Sequence, residues 1–232
     1  MRSIDAVITW VDGSDQEYKK KIEKHLTTST NYKKQYLQAN EIEYCVKSIL
    51  KFAPFIRKIF IVTDNQKPSF SSLENLIASN KVKVVDHKEI FKGYEKYLPT
   101  FNIRSIDAVL HRIEDLSEMF VYFNDDVFLV DKICEEDWFV KDKAVLMGKW
   151  ARSYSINPLK VLSGKLKKTL GLRPSFNASQ SKAANISGFK KEYFKSYHTA
   201  RPQIKSVIKE FYHKNPKYLT DQIKYRFRNY NQ

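Results

Sequence analysis

The sequence is poor in the residues that break or staple chains. Its 232 residues include only 6 Gly, 7 Pro and 2 Cys. With 42% hydrophobic and 14% aromatic residues beside them, this excludes a disordered, collagen-like or low-complexity chain. Cys45 and Cys134 stand far apart without metal-ligand spacing, which argues against a disulfide framework and for a reducing, cytoplasmic location. No apolar run approaches the roughly 18–20 residues that span a bilayer. The longest apolar blocks, such as 59–62 and 119–123, are strand-sized. The N-terminal MRSIDAVITW meets Asp5 and Asp12 too early to form a signal-peptide core. A Walker phosphate loop, HExxH and GxSxG are all missing.

Acidic residues are scarce in one part of the chain only. Residues 1–150 hold 23 Lys and Arg and 23 Asp and Glu, whereas residues 151–232 hold 18 against 3. The whole net charge of +15 therefore lies in the last third. Such asymmetry points to an anionic partner: a nucleotide diphosphate, an acidic polysaccharide, an anionic lipid surface or nucleic acid. Solvated, lysine-rich helix faces are the plain alternative.

What is present reads as an α/β protein. Residues 4–10 form a short apolar strand that ends in the turn VDGSD (11–15). Residues 15–27 are predicted helical. A second helix starts near Asn40, where Asn40 and Glu43 resemble a capping box, and Pro54 marks its end. KIFIVT (58–63) is a buried strand before the polar turn DNQKP, and KVKVVD (81–86) is another. Strand and helix alternating at this spacing predict a parallel, Rossmann-like sheet. Residues 103–112 are predicted helical, and MFVYF (119–123) is a continuous apolar strand running into NDD (124–126) and VFLV. After Gly148, residues 158–170, 177–190, 201–214 and 216–228 read as polar helices. The domain expectation is an α/β core over 1–150 and a basic helical extension over 151–232.

Asn124-Asp125-Asp126 follows a strand that should be central, and ligands of open parallel sheets gather at the carboxyl ends of strands. Adjacent carboxylates repel unless a cation or a basic side chain neutralises them. The pair therefore suits Mg²⁺ or Mn²⁺ on a substrate diphosphate, or one metal ligand beside a base or nucleophile. An Asx-type turn with solvated acids is the plain alternative. Trp10 offers a stacking face for a base or sugar, Asp12 an acceptor for ribose or base, and Gly13 close backbone approach. An ordinary strand–helix turn with a core Trp competes with that reading. Asp64 closes the next strand at the same sheet edge by topology. Of five histidines, His198 in SYHTARP is the best candidate for proton transfer.

IDAVITWVDGSD (4–15), EIEYCVKSILKFAPFIRKIFIVTDNQKPSF (41–70) and KVKVVDHKEIF…YLPTFN…AVLHRIEDLSEMFVYFNDDVFL (81–129) resemble, in order, the Stealth family of capsule and cell-surface polysaccharide phosphotransferases. That family is similar to the catalytic subunit of the lysosomal-enzyme N-acetylglucosamine-1-phosphotransferase. SFNASQ…SGFKKEYFKSYHTARPQIKSVIKEFY (175–212) resembles its third region. The resemblance implies a nucleotide-sugar-transferase-like fold, with the sugar-binding core in 1–150 and 151–232 completing the active site. It implies transfer of a sugar-1-phosphate from a UDP-sugar to a glycan hydroxyl. It places Asp12 in the donor-binding loop, Asp125 and Asp126 in the metal-binding and catalytic pair, Thr100 and Asn102 in the substrate-side loop, and His198 at the catalytic-region histidine. Where the family often reads His-x-Pro-His, this chain has His198-Thr199-Ala200-Arg201-Pro202, so Arg201 replaces the second imidazole. The fourth region is not recognisable in a chain that ends at RNYNQ, which implies a short or truncated member.

The expected mechanism is Mg²⁺-dependent (or Mn²⁺-dependent) attack of an acceptor hydroxyl on the β-phosphorus of a UDP-sugar, with UMP leaving. His198 or one Asp takes the proton, and Arg201, with Arg173 or Lys205, neutralises phosphate oxygens. One rival is a metal-dependent glycosyltransferase that releases UDP. The other is a non-enzymatic polyanion-binding module. The expected partners are the UDP-sugar, the glycan acceptor and a peripheral contact with anionic membrane, without nucleic acid.

Overall fold

The computed structural model describes residues 3–25, 39–170 and 175–227. Expectations for Arg173 and the end of the 216–228 helix fall outside these residues in whole or part. The described residues form β1 (Ile4–Thr9), α1 (Gln16–His25), α2 (Glu41–Phe52), β2 (Ile59–Thr63), α3 (Leu73–Ala78), β3 (Val82–Asp86), α4 (His87–Ile90), α5 (Ile103–Asp107) and β4 (Met119–Asn124). There follow β5 (Phe139–Val140), β6 (Lys143–Ala144), β7 (Gly148–Arg152), α6 (Pro158–Thr169), α7 (Phe176–Ile186), β8 (Glu192–Ser196), β9 (Arg201–Ile204), α8 (Lys205–Lys214) and α9 (Pro216–Ile223). No helix among them is long and apolar enough to cross a membrane.

The chain divides into two compact units, Met1–Val145 with Ala200–Arg226, and Leu146–Thr199 with Phe227–Gln232. In the first, a five-stranded sheet has the order β3-β2-β1-β4-β9. The first four strands are parallel and β9 returns antiparallel. This is the expected α/β class with a parallel-dominated sheet. The continuous apolar runs arise because these strands are buried on both faces. Ile4, Ala6, Ile8, Ile59, Ile61, Val121 and Phe123 pack toward α2, where Ile42, Val46 and Ile49 meet them. Val7, Phe60, Val62, Phe120 and Tyr122 pack on the other face with Ile106, Leu219 and Ile223. Each such side chain contributes roughly 1.5–3 kcal/mol on burial.

Several local expectations change. Asn40 precedes α2 with a left-handed backbone and makes no side-chain cap. Instead its Nδ2 donates to the Glu43 carboxylate at 2.7 Å. The helix expected over 103–112 splits into α5 and a 3-10 turn at Leu110–Arg112. The helix expected over 201–214 begins as strand β9, and Pro202 is tolerated there because β9 is an edge strand. β9, α8 and α9 thus fold with the α/β unit instead of a C-terminal extension, because the strand pairs with β4 and Leu219 and Ile223 enter the core.

The second unit contains the antiparallel ribbon β7–β8 with α6 and α7. Gly148 opens that ribbon where a Cβ would collide with the Lys195 carbonyl.

Candidate active site

From β1 the chain winds outward to β2 and β3, then returns to β4 on the other side of β1. The junction of β1 and β4 is a topological switch point, the place where open α/β sheets bind ligands at the strand carboxyl ends. Thr9 lies opposite Asn124 in the register, so Trp10–Asp12 and Asp125–Asp126 leave the sheet at the same edge. The sequence-predicted acidic pair and donor loop are therefore neighbours in the fold.

Asp125 is half-buried and Asp126 is exposed. Burial first, then the charges of Asp126 and Glu41, push the Asp125 carboxyl up to about 6. Behind the pair, the Thr9 hydroxyl meets Tyr122 Oη at 2.8 Å and Tyr122 Oη lies 2.6 Å from Asn124 Oδ1. Burial raises the Tyr122 phenol well above its usual range, so it remains a neutral donor. On the opposite face the Cys45 thiol donates to the Asn124 carbonyl at 3.8 Å, and burial with the nearby aspartates keeps it protonated. These residues carry no motif; only the register reveals them.

Asp12 is held from both sides. Its backbone N–H donates to Gln66 Oε1 at 2.9 Å, and Gln66 Nε2 donates to the Asp12 carbonyl at 3.0 Å. Its carboxylate accepts from the Ser14 N–H at 2.7 Å and the Ser14 hydroxyl at 2.6 Å, closing a tight turn around the buried Gly13. Asp15 then accepts from the Tyr18 N–H at 2.7 Å and starts α1. Trp10 is a correction: it is buried among the core residues beneath α2, so core packing replaces the expected stacking platform. Asp64 is at the expected edge, with Lys21 Nζ at 3.1 Å. Beside it, burial lowers His87 to about 4, against the opposing pull of Asp64 and Asp86.

Thr100 and Asn102 are buried, not displayed. Asn102 caps α5 by accepting from the Arg104 N–H at 3.3 Å, and its Nδ2 donates to the Tyr225 carbonyl at 3.1 Å. Its visible work is to tie this loop to the chain after α9. The Thr100 hydroxyl is buried without a hydrogen-bond partner among the described residues.

Arg201 donates from Nη2 to Asp107 Oδ2 at 3.0 Å and lies over the Tyr122 ring, 4.6 Å from its centre. The expected phosphate ligand is thus already paired, and burial raises Asp107 while Arg201 pulls it down. Lys205 is a second correction. It donates to the Ile113 and Leu116 carbonyls at 3.4 and 3.1 Å, and its neighbour Ile204 pairs with Met119, the first residue of β4. That is the end of β4 opposite Asp125, because β9 runs antiparallel. His198 belongs to the second unit, in the exposed turn after β8.

A parallel-dominated sheet with paired acids at its switch point defines the class as α/β, and open sheets of this kind bind ligands at the strand carboxyl ends. The family follows from sequence. Stealth protein CR1, conserved region 1, matches residues 2–28, and Stealth protein CR2, conserved region 2, matches residues 35–147. Together the two cover more than half of the chain, which belongs to the Stealth family. It is 42% identical over 142 residues to capsular polysaccharide phosphotransferase fcs1 of Haemophilus influenzae, covering 59% of this chain and 37% of that protein. It is 38% identical over 148 residues to receptor polysaccharide phosphotransferase WefC of Streptococcus oralis, covering 61% and 43%. The matched stretch is thus well under half the length of these relatives. Among solved structures, apo mouse xyloside xylosyltransferase 1 aligns with a TM-score of 0.42 and 13% identity, over 99% of this chain and 77% of that one.

Proposed function

We propose that this chain carries the donor-binding part of a sugar-1-phosphate transferase that builds capsular or other cell-surface polysaccharide. An acceptor hydroxyl attacks the β-phosphorus of a UDP-sugar, the new O–P bond forms, and UMP leaves. The names of the relatives support the reaction class over the matched region. The observation that carries the reading is the Asp125–Asp126 pair at the switch point beside the pinned Asp12 loop.

The residues fit a hard divalent cation, Mg²⁺ or Mn²⁺. Asp125 is held protonation-prone by burial and by its neighbour's charge, a strain that a dication relieves. Among the described residues no group of three or more His, Cys, Asp or Glu forms a metal cluster. Asp125 and Asp126 would hold the ion, leaving its other positions to substrate phosphate and water. Once bound, it would supply charge neutralisation at the diphosphate. The protein's own part is positioning: Gln66 fixes the Asp12 backbone for the donor, and the Thr9–Tyr122–Asn124 chain fixes the root of the acidic pair. The proton of the attacking hydroxyl goes to one aspartate of the pair.

The test is incubation with a panel of UDP- and CMP-sugars, Mg²⁺ and glycan acceptors. Release of UMP supports phosphotransfer, UDP shows glycosyl transfer instead, and no nucleotide product overturns both. Asp125→Ala and Asp126→Ala should each abolish turnover with the fold intact; full activity in both defeats the assignment.

A further inference from the structure

Helix α6 presents an apolar stripe to water. None of its residues is buried. Leu159, Leu162, Leu166 and Leu170 are exposed at 79%, 65%, 59% and 62%. Their spacing of three, four and four places them within about 80° of one another around the axis, as one outward stripe. The opposite face holds the helix in its unit: Lys160 Nζ lies 4.3 Å from the centre of the Tyr154 ring, and Val161, Gly164 and Lys168 line a cleft of about 600 Å³ shared with α7. A twelve-residue helix with no buried side chain is marginal in water and calls for a surface on its leucines.

We propose that this stripe docks α6 on an anionic lipid surface, with Lys165 and Lys167 flanking the leucines and reaching headgroup phosphates. Charge selects the occupant. Residues 146–199 hold nine Lys and two Arg against a single acid, Glu192. A second copy would bring the same cationic unit against this one, and like charges would oppose the contact. A nucleic-acid backbone would satisfy the lysines but leave the leucines in water. An anionic bilayer satisfies both, since the stripe enters the acyl boundary while lysine stems snorkel to the phosphates. The same unit also exposes Trp150, at 55%, with Phe194 and Phe189 ring centres 5.6 and 5.9 Å away, the aromatic type that favours the membrane interface. Docking does not depend on the proposed transferase reaction.

The experiment is co-sedimentation of the whole chain with vesicles of phosphatidylcholine alone or with about one third phosphatidylglycerol. Binding is expected only to the anionic vesicles and should weaken with salt. Leu162→Ser with Leu166→Ser should lower partitioning about 100-fold, and Lys165→Gln with Lys167→Gln by about 30-fold. Both variants should keep the wild-type circular dichroism and any nucleotide release in solution. Equal binding to neutral vesicles, or full vesicle binding by the leucine variant, overturns the proposal. So does a dimer that the leucine variant dissolves, or binding to acidic protein or soluble polyanion without binding to vesicles.

Discussion

Replacing Asp5 should destabilise the α/β unit more than any change at the candidate site. Asp5 is fully buried in β1 and accepts four hydrogen bonds. Arg57 donates through Nε and Nη2 at 3.0 and 2.7 Å, the Lys58 N–H at 3.2 Å and the Ser117 N–H at 2.7 Å. One carboxylate thereby joins β1 to the segments that enter β2 and β4, at the edge of the sheet opposite Asp125. Asp5→Ala strands two backbone donors and one guanidinium. A stranded buried donor costs about 1–3 kcal/mol, and breaking a buried ionic network about 3–5 kcal/mol. Arg57 is 39% exposed and can rehydrate, so the lower end of that range applies, about 3 kcal/mol. For a chain of this size that is a fall of roughly 10 °C in Tm. Urea unfolding followed by fluorescence reads it, since Trp10 and Trp138 sit in the core of this unit. Asp5→Asn should lie between wild type and alanine, because it keeps one acceptor oxygen and turns an amide toward donors. Nucleotide affinity of the folded variant should change by less than about twofold, as the clamp is at the far end of the strands. A loss of under about 1 kcal/mol in Asp5→Ala would refute the reasoning.

Gln66→Ala removes both hydrogen bonds to the Asp12 backbone, so UDP affinity should fall about tenfold in calorimetry with little change in stability. Burial lowers His87 and His111 to about 4, so between about 6.5 and 4 the unfolded chain binds protons that the native one refuses. Their effect is flat above pH 6.5 and costs roughly 2 kcal/mol each from pH 7 to 5; denaturant midpoints of His111→Gln should show a correspondingly smaller loss. Asp125 acts in the opposite sense below about 6, so the comparison is between variant and wild type, not between pH values alone. A thiol reagent on the native chain should label the exposed Cys134 and spare Cys45, whose thiol is buried and held protonated; mass spectrometry of labelled peptides decides.

The sequence by itself determined the elements that depend on neighbours in the chain. IDAVIT, IFIVT and MFVYF are apolar at every or nearly every position, which only strands buried on both faces require, and they lie in a parallel sheet. Asp125 and Asp126 were legible as the two acids on which an apolar strand stops, and the parallel register puts them at the same sheet edge as the Asp12 loop. The tertiary structure decided what depends on partners far away. β9 is four residues long with Pro202 inside it, and only pairing with β4 makes it a strand. Thr9, Gln66 and Tyr122 are ordinary residues until register sets them beside Asn124 and Asp12. Arg201 reads as a phosphate ligand until Asp107, 94 residues away, closes on it, and Lys205 until the antiparallel return carries it to the wrong edge. Periodicity records which side chains are buried; it holds no information about which strand lies beside which, and the positions of these charges follow from strand order.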